Sequence, residues 1–225
     1  MAKWMIHGGM LDAACERFGV ARDHWLDLST GINANPYPLP ELAREYWHRL
    51  PDSGLDLWLR DSAARCYGVD DPASIIPAPG SQALIQWLPR LLPVQRVHVV
   101  SPTYREHAQA WTDAGHAVST GGLDAPADAR IVVVVNPNNP DGRISDPQRL
   151  LGMARDRLVI VDEAFADVVP EASVAPMVGA DRTNLLVLRS VGKMFGLAGM
   201  RLGFALAAGD MAAKLRAALG PWPVS

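Results

Sequence analysis

The sequence lacks the features that mark several protein classes. Two cysteines in 225 residues, Cys15 and Cys66, are too few for a disulfide framework, which points to a reducing compartment. No segment approaches the roughly 18 consecutive apolar residues that would span a bilayer. The first residues, "MAKWMIHGGM", hold no apolar run of signal-peptide length, so a cytoplasmic protein is expected. Charge of either sign is not in excess: 21 Lys and Arg face 24 Asp and Glu, a net charge of −3. That leaves no electrostatic footprint for nucleic acid or an anionic membrane as partner. The sequence has no GxGxxG after a strand and no GxxxxGK[ST], the two glycine-rich loops expected of a nucleotide-binding domain. No metal site is expected.

What remains is an ordinary globular composition, 49% hydrophobic and 20% charged, with length for one sizeable core or one and a half domains. Residues 1–40 hold "STGINANPYPLP", rich in turn formers, and read as an extended arm. Residues 41–225 read as one domain. Its pattern is helical over 41–67, with a break at "LPDSGLD". Strands are then predicted at 74–78, 96–101, 130–135, 157–162, 184–189 and 203–207. Helices are predicted at 82–92, 104–114, 146–156 and 209–219. Valine runs such as "RIVVVV" suit strands buried on both faces. Strands alternating with helices argue for an α/β fold with a mostly parallel central sheet flanked by helices.

In such sheets ligands bind beyond the carboxyl ends of the strands. Five of the six predicted strands exit into hydrogen-bonding clusters: "PGSQ", "SPTYREH", "NPNNPDG", "DEAF" and "SVGK". The last opens "SVGKMFGLAGMRLGF", where Lys193 stands among glycines and apolar residues in a segment that reads as buried. A lysine amine becomes nucleophilic when desolvation lowers its pKa, and it then forms Schiff bases with carbonyls. Alone, such a lysine is more often a loop residue at the surface.

In their order and spacing, "APGSQ", "NPNNPDG", "VDEAF" and "SVGKMFGLAGMRLG" resemble the fold-type-I pyridoxal-phosphate enzymes, the aminotransferase class I/II superfamily. The resemblance runs from about residue 6 to the end of the chain. It implies pyridoxal 5'-phosphate as cofactor and Lys193 as its Schiff-base partner, later exchanging a proton with the substrate carbon. Asp162 then matches the carboxylate that keeps the ring nitrogen protonated, so that the ring serves as an electron sink. A lone Asp there would otherwise read as a helix cap. Asn139 matches the donor to the cofactor's phenolic oxygen and also faces the substrate; "NPNNP" is otherwise a turn. Arg201 and Ser190 match phosphate ligands, a guanidinium fork suiting phosphate oxygens. Gly80, Ser81 and Gln82 open a helix after a strand, where amides and dipole favour an anion. Tyr104 holds the place of the aromatic residue stacked on the ring.

The N-terminal "HGG" and "DLSTGINANPYP", with the final "ALGPWPVS", resemble the threonine-phosphate decarboxylases of cobalamin biosynthesis. That resemblance implies decarboxylation of L-threonine O-3-phosphate to (R)-1-aminopropan-2-ol O-2-phosphate. It implies a homodimer, with His7 on the substrate phosphate and Asn33 lining the substrate side. Three positions depart from related sequences. Phe165 replaces a tyrosine that donates to the phenolic oxygen. Leu50 replaces the tyrosine that reaches a neighbouring subunit. Gly192 stands where many relatives carry Ser or Thr. The chain also stops after "AALGPWPVS" with no small domain and none of its carboxylate-binding arginines. A truncated product is therefore expected, binding cofactor weakly and turning over slowly or not at all. The competing readings are an aminotransferase of the histidinol-phosphate type and a non-catalytic α/β fragment.

Overall fold

The computed structural model describes residues 8–225. The predicted substrate-side residue His7 lies outside them. Seven strands form one sheet: β1 (Ile75–Ala78), β2 (Arg96–Val100), β3 (Ala117–Gly121), β4 (Ile131–Val135), β5 (Leu158–Asp162), β6 (Leu185–Ser190) and β7 (Gly203–Leu206). Their spatial order is β1-β7-β6-β5-β4-β2-β3. Neighbours from β6 to β3 run parallel, and β7 lies antiparallel between β1 and β6. The α/β expectation holds, and all six predicted strands are present.

β3 was not predicted from the pattern. Its residues, "AVSTG", sit at the sheet edge and are mostly exposed. An edge strand needs no apolar run, so no buried-strand signal marks it.

Alternation places β4's side chains on both faces. Val132 and Val134 join Val159, Val161, Leu185, Val187 and Leu206 on one side. Ile131 and Val133 join Ile160, Leu186, Leu188 and Ala205 on the other. The first layer is covered by α2 (Ser53–Tyr67) and α5 (Pro147–Met153), the second by α3 (Ser81–Leu91), α4 (Arg105–Asp113) and α6 (Gly209–Leu219). Each fully buried Leu, Ile or Val contributes about 1.5–3 kcal/mol, so this double-sided burial makes the sheet rigid enough to hold groups at its strand ends.

Residues 8–40 are less irregular than their turn formers suggest. They contain α1 (Leu11–Phe18), which ends at Gly19 in the left-handed region and buries none of its residues. The arm then docks on the Lys193 segment. Asn33 N donates to Lys193 O at 3.0 Å, and Tyr37 N to Phe195 O at 2.8 Å. Over 41–67 the expected helix before the break is only a 3-10 turn at Arg44–Trp47, and α2 follows, capped by Asp52, whose side chain accepts from Leu55 N. The break read at "LPDSGLD" is therefore an N-cap.

Candidate active site

The carboxyl ends of β4, β5 and β6, with the loops after β1 and β2, surround a cavity of about 570 Å³. Lys193, Asp162, Asn139, Tyr104, Ser190 and Arg201 all line it, as do Gly80, Ser81 and Gln82. Nine side chains and backbone positions singled out from five separate stretches of sequence thus share one space.

Asp162 ends β5 and is only 4% exposed. His107 Nε2 donates to its Oδ2 at 2.9 Å, and Ala164 N to its Oδ1 at 3.1 Å. An ionised carboxylate only accepts, so the imidazole nitrogen facing it carries the hydrogen. His107 was missed in the sequence. Its signal was spacing: it follows Tyr104 by three residues at the start of a helix, on the same face.

Lys193 is half-buried beyond the end of β6. Burial is the main cause that pushes its amine below the usual lysine range; the Asp162 charge opposes this, and the Arg201 charge adds to it. Its Nζ lies 5.6 Å from the centroid of the Phe165 ring. The segment from Ser190 to Phe204 is not buried throughout, as its apolar content suggested. Met194, Gly199, Met200 and Arg201 are exposed, because this stretch forms the rim of the cavity.

The end of the cavity beside Gly80 and Arg201 is shaped by close contacts. Gly80 caps α3 with φ +82°, and a Cβ there would stand 2.8 Å from Arg201 Nη2. Only glycine lets the guanidinium lie against the first turn of α3. Gly203, paired with Ser190 across β6 and β7, is as constrained: a Cβ would stand 2.5 Å from Ser81 N. Arg201 is in the left-handed region at φ 53°, its Nη1 donating to Ala198 O at 3.3 Å. Gly192 N donates to Ser190 Oγ at 3.1 Å. A Cβ at Gly192 would meet Ser190 Oγ and Ala198 Cα at 3.3 Å, a tight contact that a small shift of either neighbour would relieve.

Tyr104 precedes α4, and its hydroxyl donates to Gln82 Oε1 at 3.1 Å while Gln82 Nε2 donates to Glu106 Oε2 at 3.2 Å. Burial, with Glu106 and Asp162 nearby, raises the phenol's pKa, so the ring stays neutral. Asn33 does not line the cavity; Ile32 does. The Asn33 side chain is taken up by backbone instead, Nδ2 donating to Met194 O at 2.9 Å and Oδ1 accepting from Asn35 N at 2.9 Å. It pins the arm beside Lys193. Leu50 is exposed and is not among the residues lining this cavity.

A second set missed in the sequence lies behind the strand ends. Glu163 and Arg189, both buried, pair at 2.9 Å, and Arg189 also bonds Asp167. Glu163 further accepts from Ser173 Oγ at 2.5 Å and Val174 N at 2.7 Å.

The model of the aminotransferase class I and II family matches residues 23–225. The chain belongs to that family. Among its relatives, a threonine-phosphate decarboxylase of Pseudomonas aeruginosa is 44% identical over 97% of this chain and 67% of its own length. One from a Sinorhizobium species is 44% identical over 100% of this chain and 69% of its own length. A histidinol-phosphate aminotransferase of Yersinia pestis is 31% identical over 94% of this chain. The fold matches the crystal structure of L-threonine-O-3-phosphate decarboxylase from Porphyromonas gingivalis with a TM-score of 0.71 at 23% identity, covering 79% of this chain and 60% of that one. The chain thus spans 67% and 69% of the length of the two decarboxylases, but only 59% of the aminotransferase and 60% of the crystallised protein.

The cavity of this aminotransferase-family chain fits pyridoxal 5'-phosphate. A glycine-lined anion cup, a buried carboxylate with a fixed partner, a lysine of lowered pKa and an aromatic wall occur in one space. The first suits a phosphate, the second a pyridinium nitrogen, the third an aldehyde.

Proposed function

We propose that this chain forms the cofactor-binding part of an enzyme that decarboxylates L-threonine O-3-phosphate to (R)-1-aminopropan-2-ol O-2-phosphate, a step of cobalamin biosynthesis. Residues 1–40 are its substrate-side arm and residues 41–225 its large domain. It works in the cytoplasm as a homodimer. The observation that carries the reading is that Lys193 and Asp162 reach the same cavity from adjacent strands, with the acid buried against His107. The 44% identity to threonine-phosphate decarboxylases, against 31% to histidinol-phosphate aminotransferases, favours this reaction among those of the family.

Pyridoxal phosphate supplies the sink for the electron pair left when the substrate carboxylate departs as carbon dioxide. The chain's residues do the rest. Ser190, Arg201 and the first amides of α3 would hold the cofactor phosphate. Asp162, oriented by His107, would keep the ring nitrogen protonated. Tyr104 would wall the ring, and Asn139 would donate to its phenolic oxygen. Phe165, with no hydroxyl, would add no second donor there. Lys193, its pKa lowered by burial, keeps a larger neutral fraction than a surface lysine and carries a proton to and from the substrate carbon.

Incubation with threonine phosphate and cofactor tests this. Carbon dioxide and the amine product should appear in equal amounts with no keto acid present. A strict need for 2-oxoglutarate would replace the reading with the aminotransferase. Borohydride should fix the cofactor's mass on the peptide holding Lys193; a colourless protein with no such adduct would be the non-catalytic fragment.

A further inference from the structure

We propose that Asn138 is a positioning residue that rivets together the two loops carrying Tyr104 and Asn139. Its role in the reaction rests on the reading of the cavity given above; the rivet itself does not.

Tyr104 follows β2 and Asn139 follows β4, two adjacent parallel strands. Both residues line the cavity, and Asn138 does not. The loops are poor in main-chain donors, since Pro102, Pro137 and Pro140 have no N–H. The Asn138 side chain, 7% exposed, ties them instead. Its Oδ1 accepts from Thr103 Oγ1 at 2.6 Å. Its Nδ2 donates to Pro102 O at 2.9 Å and to Asp141 Oδ1 at 2.7 Å. Main-chain bonds from Asn138 N to Arg143 O and from Gly142 N to Asn138 O, both 2.8 Å, close its own loop.

The amide orientation is not free. A flip would set the oxygen against a carbonyl and a carboxylate, three acceptors with no hydrogen among them. Both hydrogens are spent, one on each loop. No other side chain of this size offers two donors and an acceptor: aspartate has no donors, and leucine has neither donors nor acceptors. Thr103 and Asn138 each precede the residue that faces the cavity. Losing the rivet should therefore move Tyr104 and Asn139 apart without removing either.

The test uses Asn138→Ala, Asn138→Asp and Thr103→Val in the full chain. In the cofactor-free protein, amide exchange over 101–104 and 136–143 should accelerate about tenfold relative to the parent. Unchanged exchange would overturn the rivet whatever the chain binds. With cofactor, the dissociation constant should rise about tenfold. The pH midpoint of the visible band should also move up, because a weaker bond from Asn139 to the phenolic oxygen disfavours its ionised form. Asn139→Ala should add less to Asn138→Ala than it does to the parent, and Thr103→Ser should behave as the parent. A lower melting temperature with affinity and midpoint unmoved would mean a structural role only and overturn the proposal. Thr103→Val removes one bond, so it serves if the Asn138 variants fail to fold. A parent chain that binds no cofactor would instead defeat the reading of the cavity, with the exchange result still deciding the rivet.

Discussion

His107 and Asp162 meet at 2.9 Å, with side chains 2% and 6% exposed. The acid that faces the cavity from β5 is thus held from behind by a helix that starts in the loop after β2. A carboxylate with one oxygen anchored to a backbone amide and the other to an imidazole has little freedom to turn. Replacing His107 by Leu removes a bond to a charged group, worth about 1.5–3 kcal/mol. Turnover should fall about 10- to 100-fold in steady-state kinetics, and the melting temperature should drop by about 3–12 °C in a thermal scan.

The Glu163–Arg189 pair is fully buried. Arg189→Met would strand Glu163 in the core, at a cost of about 3–5 kcal/mol. Glu163→Met added to it should restore a large part, read from urea midpoints. The single variant should also acquire a pH dependence. Burial already pushes the Glu163 carboxyl above its usual 4.5, and the guanidinium is one of the groups that oppose this. Without Arg189 the folded-state pKa rises further. The variant is then least destabilised at acid pH and loses stability as pH rises from about 4.5 through the folded value.

Lys193 gives the opposite sign. Its amine is held below 10.5 mainly by burial, so the folded state binds its proton less tightly than the unfolded chain does. That penalty is present at neutral pH and vanishes above the unfolded value. Lys193→Met should therefore melt higher than the parent at pH 7 when both are free of cofactor. The gap should close as pH approaches 10.5, and activity should be absent at every pH.

Gly203→Ala drives a Cβ to 2.5 Å from Ser81 N. The backbone of α3's first turn must retreat, and Gly80 with it. Overpacking of this kind costs about 1–3 kcal/mol. Affinity for inorganic phosphate and for the cofactor should fall together by about tenfold or more, measured by calorimetry.

Which features were legible follows from where each signal resides. β4 was plain because "IVVVV" is buried on both faces, and the cavity residues were plain because Asp162 and Ser190 end strands and most of the others follow a strand within a few residues. β3 was hidden because an exposed edge carries no apolar signature. α1 was hidden because it buries nothing. His107 escaped because its meaning lies in a partner 55 residues away, and Arg189 because its neighbours in sequence are apolar. The sequence could not show that the Asn33 amide satisfies main-chain groups while Ile32 beside it lines the cavity, because those partners lie on the distant Lys193 segment and in the local turn.

The antiparallel placement of β7 has a consequence for synthesis. This strand lies spatially between β1 and β6 but leaves the ribosome after both. Until Gly203 emerges, β1 has no neighbouring strand and Arg201 has not been set over Gly80. A nascent chain must therefore keep an open slot in its sheet until about nine-tenths of these 225 residues have been made.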